Sequence, residues 1–231
     1  MDVSNTVLAV VAHADDEALG CGGTLARHVT NGDVVHLLVL ADGVTARYAE
    51  YSNDTHGEEI ANRELQARSA ARVLGIQPPI FGGFPDNRCD SVPLLEIAKL
   101  VENVIEELKP KIVYTHHAND LNVDHCLAHQ AVLTACRPLQ GSPIRAIYSF
   151  ETLSSTEWEP AGKGRMFQPT RFVDISAHLE VKRAAIAAYG EEMRTFPHPR
   201  SLEAIEALWR MRGAQSGLFA AEAFVVIREI A

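Results

Sequence analysis

Five consecutive residues, His13-Ala14-Asp15-Asp16-Glu17, place one imidazole and three carboxylates directly after the apolar run 6–12 (TVLAVVA). One or two acids there would complement a helix dipole and its orphan N–H groups. Three beside an imidazole, with no Lys or Arg before Arg27, repel one another, and a divalent cation relieves that repulsion. A second cluster, His116-His117-Ala118-Asn119-Asp120-Leu121-Asn122-Val123-Asp124-His125, follows the apolar run 112–115. An imidazole and a carboxylate from the first cluster, joined by an imidazole from the second, make a three-ligand site. Such a site keeps a position open for water or substrate, as a catalytic zinc requires. The donors are nitrogen and oxygen without thiolate, so zinc, iron or another divalent ion suits the set.

These clusters need elements to hold them. Runs 6–12, 34–41, 80–84 and 112–115 read as buried strands, alternating with helical patterns over 19–29, 58–74, 94–108 and 125–136. Gly75 reads as the cap that stops the second helix, and Lys109-Pro110 ends the third. Segments 145–150, 171–175 and 224–230 read as further strands. The alternation predicts an α/β fold, an open and mostly parallel sheet with helices on both faces. In such folds ligands sit outside the carboxyl ends of the strands, which is where both clusters fall. The stretch 153–168 reads as a long surface loop, and 191–217 as a helical but Arg- and Pro-rich segment that could close over a substrate.

His-x-Asp-Asp-Glu after the first strand, Gly20-Cys21-Gly22-Gly23 behind it, Phe84-Pro85-Asp86 after the third strand and the later Asp124-His125 together resemble the PIG-L/LmbE family of zinc-dependent N-deacetylases. The resemblance spans roughly residues 6–150. It implies a Rossmann-like, three-layer α/β/α domain over residues 1–231 and a metal-dependent amide hydrolase. The implied reaction removes acetyl from an N-acetylated amino sugar or sugar conjugate. By the same resemblance His13, Asp16 and His125 bind Zn2+, or another divalent metal such as Fe2+, and Asp15 is the general base. The chemistry of the residues agrees, since deprotonating water needs a carboxylate that is near the ligands without being one. Glu17 then holds the loop.

The chain departs from the family's His-Pro-Asp-His pattern, having Asn122-Val123-Asp124-His125 instead. Asn122 can donate a hydrogen bond to an oxyanion but delivers no proton. The acid role passes to His116, His117, His129 or His198, or Asp15 makes both transfers. Asp124 either orients an imidazole, as metal-bound histidines require, or caps a helix. Asp86, Arg47, His198 and Arg200 are candidate substrate contacts. Arg63 and Arg68 read as helix-surface partners of Glu59 and Glu64.

Other classes fit less well. A nicotinamide site would want a third glycine after Gly20-Cys21-Gly22-Gly23, and the acidic turn would repel a pyrophosphate. No Gly-x-Ser-x-Gly elbow exists for a serine hydrolase. The remaining rivals are hydrolysis of another small amide, such as an N-formyl group or a thiol-cofactor precursor, and a nucleotide-binding module of Rossmann type. A net charge of -9 argues against nucleic acid as partner. Cysteines at 21, 89, 126 and 136 do not form a disulfide framework. No apolar run reaches the ~18 residues of a membrane span, and the N-terminus lacks a signal-peptide pattern. The expectation is a cytoplasmic enzyme with a small acetamido substrate, free or linked to a nucleotide or phosphate; a homo-oligomer is compatible with the sequence.

Overall fold

The first strand, β1 (Thr6–Val11), is apolar at nearly every position because both of its faces are covered. Val7, Ala9 and Val11 enter one core and Leu8 and Val10 the other, the period-two split of a central strand. The computed structural model describes residues 4–48, 53–160 and 166–231. Six further strands follow: β2 (Val34–Ala41), β3 (Ile80–Phe84), β4 (Ile112–His116), β5 (Ala146–Phe150), β6 (Arg171–Asp174) and β7 (Ala221–Glu229). They form one sheet in the order β3-β2-β1-β4-β5-β7-β6. The first five are mutually parallel, and β7 runs antiparallel to both neighbours. The three-layer, mostly parallel α/β architecture is therefore as expected.

The helices are α1 (Asp16–Gly20), α2 (Gly22–Thr30), α3 (Asn53–Leu74), α4 (Leu94–Leu108), α5 (Val123–Ala135), α6 (Leu179–Ala187) and α7 (Leu202–Ser216). Leu25, Ala67, Leu74, Ile186 and Trp209 pack helices α2, α3, α6 and α7 on one face of the sheet. Ile97, Val101, Ala128 and Val132 pack α4 and α5 on the other. Helix α4 ends at Lys109 in the left-handed region (φ 50°) before Pro110, and Gly75 (φ 75°) follows α3 as expected. Among the described residues no helix is long and apolar enough to cross a membrane.

Helix α6 was not expected, α3 and β7 begin earlier than 58 and 224, and three further details differ from the sequence reading. The single helix expected over 19–29 is two, broken at Cys21 (φ −140°). The cause is tertiary: a Cβ on Gly20 would lie 2.2 Å from the Phe150 ring, and one on Gly23 2.8 Å from Ile175. The Glu222 carboxylate accepts the Gly23 and Thr24 N–H groups at 2.8 and 2.7 Å, so a residue 199 positions beyond Gly23 caps α2. Glu222 is itself neutralised by the buried Lys182. Helix α5 starts two residues early because Asn122 Oδ1 accepts the Asp124 N–H at 2.9 Å as its N-cap. Within the loop expected over 153–168, a short 3-10 turn (Thr156–Trp158) is present, and 161–165 lie outside the described residues.

Strand order reverses between β1 and β4, which are hydrogen-bonded neighbours with Val7 opposite Ile112 and Ala9 opposite Tyr114. Their carboxyl ends are level, so the loops starting at Ala12 and His117 open into one crevice.

Candidate metal centre

Asp16 is the centre of the site. It is fully buried in the first turn of α1, and its Oδ2 lies 3.4 Å from His13 Nδ1, 3.4 Å from His125 Nε2 and 3.3 Å from His116 Nε2. The His13 backbone N–H donates to the same oxygen at 2.8 Å, which folds the loop back on itself. Ligand atoms of His13, Asp16 and His125 all lie within 4.8 Å of one another. Two buried atoms in this group, Asp16 Oδ1 and His125 Nε2, have no hydrogen-bond partner. A buried acceptor left unsatisfied costs about 1–3 kcal/mol, and a shared cation removes that cost at both atoms. Tetrahedral ligands about 2.0–2.1 Å from zinc stand roughly 3.3 Å apart, close to the separations around Asp16. The residues present therefore fit a divalent ion.

His116 lies as close to Asp16 but has a different role. Its Nε2 accepts the Ala12 N–H at 2.9 Å, so that lone pair is occupied, and its Nδ1 faces Thr152 Oγ1 at 3.4 Å. Burial, followed by the neighbouring His125 charge, depresses it to about 4, a neutral ring stacked on His125 with centroids 3.9 Å apart. The other two imidazoles carry carboxylates on their far nitrogens. His13 Nε2 lies 3.1 Å from both Asp124 Oδ2 and Asp86 Oδ1. His125 Nδ1 lies 3.1 Å from Asp120 Oδ1. Asp124 is fixed by N–H donation from Asn87 (2.7 Å) and Cys89 (3.0 Å). Asp124 thus faces an imidazole and does not cap α5, a place Asn122 takes, whereas Asp120 stood unassigned in the sequence although it lies five residues before His125.

The electrostatics follow. Burial would push both imidazoles down, but the facing carboxylates overcome it. His13 is held well above the ordinary value by Asp124, Asp16 and Asp86, and His125 is raised to about 9 by Asp16 and Asp120. Asp16 is held well below the carboxylate range against burial, chiefly by the facing His125. Protons on imidazoles here balance Asp16 charge that a cation would balance instead, so ion binding releases protons.

Asp15 adopts φ 134°, a conformation disfavoured for a side-chain-bearing residue. That turn puts its carboxylate beside His13 and Asp16, with Oδ2 2.7 Å from Arg200 Nη1. Burial raises Asp15 to about 6; Arg200 opposes the rise and Asp16 adds to it. Glu17 accepts the Asp15 N–H at 3.2 Å and the Tyr189 hydroxyl at 2.7 Å, so it holds the loop. Its surroundings raise it to about 7, burial being the main cause.

A cleft of about 210 Å³ opens over Asp15, lined by His13, Asp86, Asn122, Arg47, Arg63, Glu192 and Arg200. Glu192 gathers the arginines: Arg47 and Arg63 donate to its Oε1, and Arg200 Nη1 lies 3.6 Å from Oε2. Arg63 does not pair along its own helix as expected. It is buried and reaches Glu192, 129 positions away, because its side chain points under the cleft rather than to solvent. Arg68 does pair with Glu64, at 3.6 Å. Asn122 spends its carbonyl on the α5 cap and one amide proton on Asn87 Oδ1 at 2.8 Å. His198 accepts the Arg200 N–H and packs edge-on to Trp158; it does not line the cleft. His117 and His129 are tied to backbone at Asn119 and His116. The place a pyrophosphate would take at the α1 N-terminus holds the buried Asp16 and Glu17 side chains, which removes the nucleotide-binding reading.

The family model described as "PIG-L: GlcNAc-PI de-N-acetylase" matches residues 8–136. The chain is 32% identical over 186 residues to the Escherichia coli K12 protein described as uncharacterized deacetylase YaiS, covering 78% of this chain and 88% of that one. It is 27% identical over 196 residues to the 4-oxalmesaconate hydratase of Pseudomonas putida, covering 78% and 71%. Among solved structures, the conserved protein TT1542 of Thermus thermophilus superposes with a TM-score of 0.74 at 26% identity, over 98% of this chain and 96% of that one. With more than half of its length matched and both loops of the candidate site inside the matched region, the chain belongs to the PIG-L family.

Proposed function

We propose that the protein is a metal-dependent N-deacetylase acting on the acetamido group of an amino sugar or sugar conjugate. His13, Asp16 and His125 hold one divalent cation, with zinc the best fit to the donor set. The observation that carries this is the pair of unpartnered buried atoms, Asp16 Oδ1 and His125 Nε2, beside a buried carboxylate that is not part of the triad. When bound, the cation supplies a Lewis acid that polarises the amide carbonyl and acidifies a water.

The chain's own residues do the rest. Asp15 takes the proton of the attacking water, whose oxygen bonds to the carbonyl carbon. None of His116, His117, His129 and His198 lines the cleft, so Asp15 returns that proton to the nitrogen as the C–N bond breaks, giving acetate and a free amine. Arg200 holds Asp15 in place through its 2.7 Å contact. Asn122 keeps one amide proton for the developing oxyanion. Arg47, half-exposed at the rim of the cleft, can meet a polar or charged group of the substrate, and Asp86 meets its hydroxyls. Residues 1–231 act as one domain in this reading, since Glu192 and Arg200 beyond the matched region complete the cleft.

Metal analysis combined with acetate release from a panel of acetamido sugars, neutral and anionic, tests the proposal. One equivalent of divalent ion and acetate formation support it. Metal binding with no acetate release, but with hydration of an unsaturated acid, would move the chain to the chemistry of its hydratase relative.

A further inference from the structure

The loop that follows β5 lies outside the region matched by the family model, yet it reaches the back of the His125 ring. Asp120, 4% exposed, faces His125 Nδ1 with one oxygen. Ser155 Oγ donates to that same oxygen, and the Asn122 N–H donates to it at 2.9 Å. Thr156 Oγ1 donates to the second oxygen at 2.6 Å. Thr156 Oγ1 also accepts the Thr152 N–H at 2.8 Å, which ties the loop into a closed turn. The two hydroxyls leave Asp120 a single orientation, with the acceptor lone pair aimed at the imidazole. An imidazole that donates from Nδ1 presents its Nε2 lone pair, the atom that is buried and unpartnered here.

We infer that Asp120, locked by Ser155 and Thr156, is a positioning residue for the cation: it fixes the tautomer and tilt of His125 and thereby sets metal affinity. The inference rests on the metal reading above. Stacking of His116 on the other face of His125 gives the ring no alternative pose once Nδ1 is bonded. The loop after β5 therefore contributes to ion retention without supplying a ligand.

The test measures Zn2+ affinity of purified, metal-stripped protein by competition with a chromophoric chelator, and records the visible bands of the Co2+-loaded protein. Wild type should bind one equivalent. Asp120→Asn should weaken binding by about 10–100-fold and shift the Co2+ bands, because the outer partner of a metal-bound histidine sets ligand basicity and direction. Thr156→Val, which removes one hydroxyl donor and leaves Asp120, should weaken binding severalfold. Asp33→Asn, at the remote carboxylate bonded to His28 Nδ1, should leave affinity unchanged and so separates positioning from loss of stability. A wild type that binds no ion overturns the metal reading and this inference with it. One equivalent in wild type with unchanged affinity in Asp120→Asn overturns the inference alone. Should Asp120→Asn fail to fold, Thr156→Val decides, and wild-type affinity and spectrum in that variant overturn the inference.

Discussion

Replacing Asp15 by Asn removes one charge and keeps the side chain's shape. It also keeps the backbone, since Asn adopts positive φ as readily as Asp. Two consequences of opposite sign follow. In the proposed mechanism the variant loses the group that accepts and returns the proton, a contribution of about 10²–10⁴ in rate, or roughly 3–5.5 kcal/mol of barrier. It also loses a carboxylate that the fold holds at a cost. Burial and Asp16 raise Asp15 from 3.8 to about 6 even with Arg200 opposing, roughly two units at 1.36 kcal/mol each, or about 3 kcal/mol. An acid whose folded pKa exceeds its unfolded value destabilises the native state wherever it is ionised. The penalty is therefore fully present above about pH 6 and absent below about pH 4. The metal-free Asn variant should be more stable than wild type by about 1–3 kcal/mol at pH 8, the range reflecting how closely an amide reproduces the protonated acid at this buried position. For a chain of this size that is a rise in Tm of about 2–12 °C, shrinking as the buffer is taken from pH 8 to pH 4. Acetate release, metal stoichiometry and thermal denaturation across that pH range are the assays. A variant that loses its ion shows that Asp15 is a ligand; turnover within tenfold of wild type removes it as the base. A lower Tm at pH 8 refutes the electrostatic account.

The other predictions test the geometry around it. His125→Ala should abolish stoichiometric metal binding, whereas His116→Asn should retain it, because His116 Nε2 is already taken by the Ala12 N–H; equal loss in both by elemental analysis would make His116 a ligand. Glu192→Gln leaves Arg47, Arg63 and Arg200 to repel one another and should cost about 1–3 kcal/mol at pH 7 by denaturant midpoint. Glu192 is held below its ordinary value against burial by those arginines, so its contribution is present above about pH 4.5. It disappears as pH falls through the lower folded value, and a penalty that persists in acid refutes this. Gly20→Ala drives a methyl to within 2.2 Å of the Phe150 ring and should cost about 1–3 kcal/mol in Tm measurements; an unchanged Tm would mean the α1–α2 junction is slack.

Much of the molecule follows from local order in the chain. A strand buried on both faces has to be apolar at almost every position, so runs such as TVLAVV, VVHLLVLA and IVYT announce a parallel sheet by themselves. The acids and imidazole at 13–17 are contiguous, so their mutual repulsion, and the expectation of a cation to relieve it, can be read without coordinates. Gly75 stops α3 because glycine takes the left-handed conformation (φ 75°) in which its own and the Ile76 N–H close back on Arg72 and Ala71, and that too is local. Packing decided the rest. The second cluster offers several imidazoles, and only the seating of His116 against the end of β1 shows which ring keeps a free nitrogen for Asp16. Arg63 looks like a surface residue of α3 until Glu192, 129 positions on, is folded beneath it, and Arg200 reaches Asp15 across 185. Whether a side chain is a ligand, an orienting partner or a cleft wall depends on which hydrogen bond its second atom makes. When that bond spans a hundred residues, the compact fold determines it, and no spacing along the chain does.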